Sequence, residues 1–338
     1  LVRKAGFEAR TIGLTNSDSS ISVTLSDGRF EKRIDSVMAT MDLADKIGQM
    51  TQSLITGPIV ADRLGSVLSG GTEPVADYDS LQAQAKAIPR NIPLLYGIDA
   101  VHGHAKLEGA TVLPHNIGLG ATRDTSLLRR LGESTAKEMW AGSADWAFAP
   151  CIAVTRDIRW GRTYESFGEV PEIVARLGAA YVKGLQGDGT TTPWRVVACA
   201  KHFVADGGTT YGTARNKMLN TGDAQISQAL LDSIHLPGYI ATVAAGTNTV
   251  MASFNAFNGL RMHRHKALLT DTLKTDFAFD GFIVSDWNAI KRMGNAPYID
   301  QVQDAINAGV DMAMEPTGYD RFIHSLTELG NAGRVSQN

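Results

Sequence analysis

Short apolar runs recur along this chain, each ending in a polar or glycine-rich cluster and each followed by a longer amphipathic stretch. The runs extend from Pro93 to Asp99, Trp146 to Val154, Val196 to Lys201, Val250 to Phe254, Phe282 to Asp286 and Val310 to Met314. Between them, helical spacing of apolar residues predicts helices from Ser126 to Ala141, Pro171 to Gln186, Ser227 to Ala245, Lys266 to Phe277 and Gln301 to Ala308. Strands alternating with helices of this length imply βαβ units and a parallel sheet. Weaker runs near Gly65-Ser-Val-Leu and Asn116-Ile-Gly-Leu bring the total to eight. The expectation is an α/β fold, a (β/α)8 barrel irregular in its first strands, with a doubly wound open sheet as the alternative.

The length of 338 residues is ample for such a barrel, which needs about 250. Residues 1–30 are polar and rich in Ser and Thr, with a weak alternation over Ile21–Leu25 and a turn-like Asp27-Gly28 pair. They are read as an N-terminal extension without an assigned role, and residues 31–338 as the barrel, opening with one helix from Glu31 to Gln52. The net charge of −3 gives no broad basic field, so neither nucleic acid nor an anionic membrane is expected as a partner. No apolar run approaches the roughly 18 residues of a spanning helix. Cys151 and Cys199 each sit in a short apolar stretch and read as two unpaired core thiols.

Polar residues collect just after the apolar runs: Asp99 with His102 and His104, then Arg162, Lys201-His202, Asn255 with Asn258, and Asp286-Trp287. In a (β/α)8 barrel the C-terminal strand ends form the active-site face. Asp286 closes Gly281-Phe-Ile-Val-Ser-Asp286, where an aliphatic strand delivers a carboxylate to the rim. An aspartate there is also what caps a following helix. A carboxylate followed by an aromatic ring suits a sugar site, the one to attack or stabilise an oxocarbenium-like centre and the other to wall the pyranose. Lys201 admits several roles: Schiff-base nucleophile, phosphate contact, donor to sugar hydroxyls, or partner in a structural ion pair. The glycine loop Asp206-Gly207-Gly208 lacks the spacing of a phosphate-binding loop. Asp157 to Ser166 is dense in hydrogen-bonding groups, which serve either as a surface ion-pair run or as donors to vicinal hydroxyls. Asp99 can accept two hydroxyl protons at once. The His102 and His104 pair carries no metal-binding spacing, and neither metal nor cofactor is expected.

At these residues the sequence resembles glycoside hydrolase family 3, in its β-glucosidase and exo-β-glucanase branch. The likeness runs from Met41-Asp-Leu-Ala-Asp-Lys-Ile-Gly-Gln-Met50 to Ala308-Gly-Val-Asp-Met-Ala-Met314. Its strongest pieces are Gly97-Ile-Asp99-Ala-Val-His102-Gly103, Arg159-Trp-Gly-Arg162-Thr-Tyr-Glu165-Ser166, Lys201-His202-Phe203 and Gly281-Phe-Ile-Val-Ser-Asp286-Trp287. The resemblance implies a retaining, exo-acting β-glucosidase or β-glucan glucohydrolase, taking a β-glucoside or β-glucan oligosaccharide. Asp286 would be the nucleophile. Asp99, Arg162, Lys201 and His202 would hold the terminal sugar, with Trp287, Met251 and Phe254 lining the same pocket. The resemblance also favours a periplasmic or secreted location.

Two departures stand out. Phe254 occupies the position where some members carry Tyr, so the hydrogen bond a tyrosine would give the nucleophile must come from elsewhere. The acid/base in this branch is a glutamate on a second, C-terminal domain, whereas this chain ends near the close of the barrel. That domain is therefore expected as a partner. The N-acetylglucosaminidase branch uses a His-Asp dyad after its Lys-His motif, and Phe203-Val-Ala-Asp206-Gly-Gly-Thr209 does not match that arrangement. Within the chain, Glu165 and Glu315 are the candidate acids, though both read more naturally as structural or orienting groups. A non-catalytic glycan-binding barrel and an aldolase-type enzyme using Lys201 remain as alternatives.

Overall fold

The computed structural model of the chain describes residues 29–55, 59–69, 75–88, 90–187, 194–214 and 217–337. Eight parallel strands follow one another around a barrel: β1 Thr51–Leu54, β2 Ser66–Leu68, β3 Leu95–Ile98, β4 Trp146–Ala147, β5 Val197–Phe203, β6 Thr249–Ala252, β7 Phe282–Val284 and β8 Ala313–Met314. From β1 to β7 each strand pairs in parallel with its successor, and β8 pairs back onto β1. A parallel bridge from Val284 to Met312 joins β7 to the entry of β8 and closes the ring. The fold is a (β/α)8 barrel, as the alternation of runs implied.

The interior is packed, not open. Leu68, Trp146, Phe148, Cys199, Met251, Val284, Met312 and Met314 form its apolar cluster. The Trp146 indole N–H donates to Thr249 Oγ1 at 2.9 Å, and that hydroxyl donates to the Ala198 carbonyl at 2.8 Å, so the polar atoms at this depth are satisfied. A larger layer between strands and helices carries the rest of the core. Helices Thr125–Ala141 and Pro171–Gln186 pack closely because Gly132 and Gly184 meet there: a Cβ on Gly184 would lie 2.2 Å from the Arg129 carbonyl. Cys151 and Cys199 are free and buried. No helix among the described residues is long and apolar enough to cross a membrane.

Several elements differ from expectation. The helix expected from Glu31 to Gln52 is two helices, Arg29–Met38 and Leu43–Gln49, and Gln52 lies inside β1. The break comes from a capping box: Asp42 accepts the Asp45 N–H at 2.8 Å while Asp45 accepts the Asp42 N–H at 3.0 Å. Asn116-Ile-Gly-Leu begins a helix, Asn116–Thr122, rather than a strand; four apolar-rich residues carry too little period to separate the two. The run from Trp146 is a strand for two residues only, and the chain rejoins the sheet through a bridge between Cys151 and Lys201. The Ser227 to Ala245 helix is composite, with a wider turn over Leu231–His235 before Pro237 restarts it; Pro237 has no N–H to continue the ladder. The alternation at Ile21–Leu25 and the Asp27-Gly28 turn lie outside the described residues.

Candidate active site

Because all eight strands are parallel, their C-terminal ends share one rim, and the polar clusters singled out in the sequence follow those ends. Asp99 follows β3, Arg162 lies in the loop after β4, Lys201 and His202 end β5, Phe254 follows β6, and Asp286 with Trp287 follows β7. A small sheet supports the rim: Asp223–Ala224 pairs with Ala256–Phe257, which turns back antiparallel on Leu260–Arg261. This hairpin brings His263 beside Asp286, whose backbone N–H donates to His263 Nε2 at 3.1 Å. Burial presses His263 down to about 3, so the ring is neutral and can accept that bond.

Asp286 is buried at the bottom of a small cleft that it shares with Trp160, Arg162, His202, Asp206, Phe254 and Asn255. Its Oδ1 accepts the Trp287 N–H at 2.7 Å, and its Oδ2 has no partner among the described residues. Burial raises the carboxyl to about 6, against the Trp287 N–H and the charges of Arg162 and Lys201, which favour ionisation. His202 Nε2 lies 3.8 Å from that free oxygen.

Around it stands a ring of paired charges. Lys201 donates to Asp99 Oδ1 at 3.0 Å. Desolvation opposes ionisation of Asp99, yet the Lys201 ammonium holds its carboxyl below the ordinary range. Arg162 makes two bonds of 2.8 Å to Glu165, a fork-to-fork pair that fixes the guanidinium against the cleft. Burial works against the Lys201 ammonium, but Asp99 and Glu165 hold its pKa above the ordinary lysine value. The arrangement offers a polyol two fixed cations and several carboxylate acceptors, with one buried carboxylate oxygen left free.

The structure thus brings together Asp99, Arg162, Lys201, His202, Phe254 and Asp286. Trp287 stands at the rim, 37% exposed. Met251 is in register with Lys201 and Val284, with its side chain in the barrel's inner cluster. Glu165 is committed to Arg162. Glu315 is buried and pushed up to about 7 by that burial. With its amide turned to satisfy both neighbours, Asn288 donates to Glu315 Oε2 at 3.2 Å and accepts from Trp287 Nε1 at 3.0 Å. Sequence reasoning missed Asp206 as a site residue, having weighed its loop as a phosphate cradle and against the His-Asp dyad of another branch. Its spacing from His202, four positions on, was the available signal. It also missed Arg292, whose guanidinium lies 5.0 Å over the Phe254 ring.

The sequence profile of the glycosyl hydrolase family 3 N terminal domain matches residues 40–338. The chain belongs to glycoside hydrolase family 3. Among curated relatives of this family member, the lysosomal beta glucosidase of Dictyostelium discoideum is 30% identical, over 90% of this chain and 41% of its own length. The periplasmic beta-glucosidase of Salmonella typhimurium is 32% identical, over 87% of this chain and 39% of its own. The chain therefore spans about two fifths of the length of these relatives. Solved structures in the family superpose closely. The exo-1,3/1,4-beta-glucanase of a Pseudoalteromonas species is 40% identical, with a TM-score of 0.85 over 92% of this chain and 41% of that one. A mutant beta-glucosidase from Listeria innocua, in complex with laminaribiose, is 31% identical, with a TM-score of 0.81 over 91% of this chain and 44% of that one.

Proposed function

We propose that this chain is the nucleophile-bearing barrel of a retaining, exo-acting β-glucosidase or β-glucan glucohydrolase. The observation that carries the reading is the free, buried Oδ2 of Asp286, set among paired charges that suit sugar hydroxyls. Asp286 attacks the anomeric carbon as the glycosidic C–O bond breaks and the aglycone oxygen leaves with a proton from the acid, forming a glycosyl-enzyme ester that water then hydrolyses. Asp99, Arg162, Lys201 and His202 hold the hydroxyls of the non-reducing-end residue. Trp287 and Phe254 supply apolar walls, and Met251 contributes to the pocket from the barrel side. The names of the relatives, three of them beta-glucosidases, support glucosides as the substrate class.

The acid/base comes from a domain beyond these 338 residues. Support for this comes from the family relatives, which are more than twice as long as the part matched, and from the commitments of the two candidates within the chain. Glu165 is bound twice to Arg162, and Glu315 interacts with Asn288 behind Trp287. An aldolase-type role for Lys201 has no support in the geometry. A Schiff base needs the free amine, and Asp99 with Glu165 favours the ammonium.

The test is mass spectrometry of the chain incubated with an activated 2-deoxy-2-fluoro-β-glucoside, followed by peptide mapping. A good leaving group removes the need for an acid, whose contribution is about 10²- to 10⁴-fold. A stable adduct on the Asp286 peptide is expected. Glucose binding with no adduct would make the chain a glycan-binding barrel instead.

A further inference from the structure

His202 is held from behind. Its Nδ1 lies 3.0 Å from Oδ2 of Asp206, a buried carboxyl whose other oxygen accepts the Gly207 N–H at 3.0 Å. The loop that carries Asp206 is pinned on both sides. A Cβ on Gly207 would lie 2.4 Å from the Val154 carbonyl oxygen, and one on Gly208 2.4 Å from His235 Nε2. On the cleft side, Nε2 of His202 faces the free Oδ2 of Asp286 at 3.8 Å, an electrostatic contact longer than a hydrogen bond.

A neutral imidazole carries one ring proton, and the partner at one nitrogen decides which nitrogen holds it. Burial, together with the charges of Arg162 and Lys201, presses His202 well below its ordinary pKa, so the ring is neutral. Two arrangements follow. If Asp206 is ionised, it accepts a proton from Nδ1, and Nε2 turns a lone pair toward the Asp286 carboxylate. If Asp206 is protonated, it donates to Nδ1, and Nε2–H points into the cleft. The first sets lone pair against anion in a buried space, and the second sets a donor dipole against the anion.

We propose that Asp206 is a positioning residue that keeps its own proton, donates it to His202 Nδ1, and thereby fixes the ring with Nε2–H aimed at Asp286 and at any hydroxyl seated there. The functional meaning rests on the reading of Asp286 as nucleophile. The surroundings of Asp206 favour its neutral form. Burial raises it to about 7, and the Gly207 N–H that favours its ionised form does not offset that rise. Across the cleft Arg162 opposes that rise, while Glu165 adds to it. Cys151 and Tyr239, also close, are held neutral by burial. When Asp206 ionises as pH rises, the tautomer of His202 reverses.

The direct test is ring ¹⁵N NMR of the histidine-labelled chain, with the His202 signals assigned through His202→Gln. The wild type is expected to show the Nε2–H tautomer in mildly acid solution and to shift toward Nδ1–H as Asp206 ionises. In Asp206→Asn the amide goes on donating to Nδ1, so the Nε2–H tautomer should persist through the alkaline range. The alkaline limb of Asp286 labelling by the fluoroglucoside should move to higher pH with it. An Nδ1–H wild type in mildly acid solution, or an Asp206→Asn chain that titrates like wild type, would overturn the proposal. Should Asp206→Asn fail to fold, the wild-type titration decides alone. No sugar takes part in the tautomer measurement, so a failure there leaves the glycosidase reading intact. Absence of labelling would sink that reading without touching the tautomer.

Discussion

The Lys201 ammonium stands 3.0 Å from the Asp99 carboxylate, tying the end of β5 to the segment after β3 across 102 positions of sequence. The two ends of this pair differ in environment: the lysine side chain is 4% exposed and the aspartate side chain 58%. A buried ammonium depends on its partner, because removing one member of a buried pair leaves the other uncompensated. Asp99→Asn should therefore lower the melting temperature more than Lys201→Met, which takes away the buried charge itself. Asp99 is held below its ordinary pKa, so its part of the stability is present at neutral pH and is lost as pH falls through the acid range. Calorimetry of the two variants against pH checks both statements. Lys201→Met should also weaken glucose or lactone binding by about 10- to 100-fold, the scale of a charged hydrogen bond.

Asp286 must be ionised to attack. Burial places its carboxyl at about 6, so the rate of labelling by an activated fluoroglucoside should rise with pH around a midpoint near 6. A profile flat down to the ordinary aspartate range would contradict the environment described here.

The same burial makes Asp286 a cost to stability. Its folded pKa of about 6 lies above the ordinary 3.8, so the native state gains the proton more readily than the unfolded chain. Stability associated with this group is full at acid pH and falls as pH rises through that interval. Asp286→Asn should abolish labelling and yet stabilise the chain at neutral pH, on the order of 1–3 kcal/mol. The advantage should vanish in acid. Denaturant unfolding at the two pH values separates this from a general packing effect.

Much of this was legible in the sequence because barrel strands advertise themselves when their residues are apolar on both faces. Phe282-Ile-Val-Ser leading to Asp286 is such a case, and so is the run leading to Lys201. β1 was missed because it reads Thr51-Gln-Ser-Leu. Two of its polar groups find partners inside the fold: Thr51 donates to the Ile47 carbonyl at 2.8 Å and Gln52 to Ser66 Oγ at 2.7 Å. The pairing of Asp206 with His202 was hidden for a different reason. A spacing of four suggests one helical face, whereas here it arises because the chain leaves β5 and turns back under the ring. The Trp287–Asn288–Glu315 link joins the end of β7 to the end of β8, and nothing in local sequence reports a contact of that kind.

The central claim is that Asp286 attacks the anomeric carbon, and chemical rescue tests it most directly. Asp286→Gly would be incubated with an activated β-glucoside and azide at neutral pH, and the product examined by NMR. With the nucleophile gone and its space open, azide enters from the face the carboxylate occupied, and α-glucosyl azide is predicted. A β-linked azide, or no azide product from a variant that still binds glucose, would contradict the account.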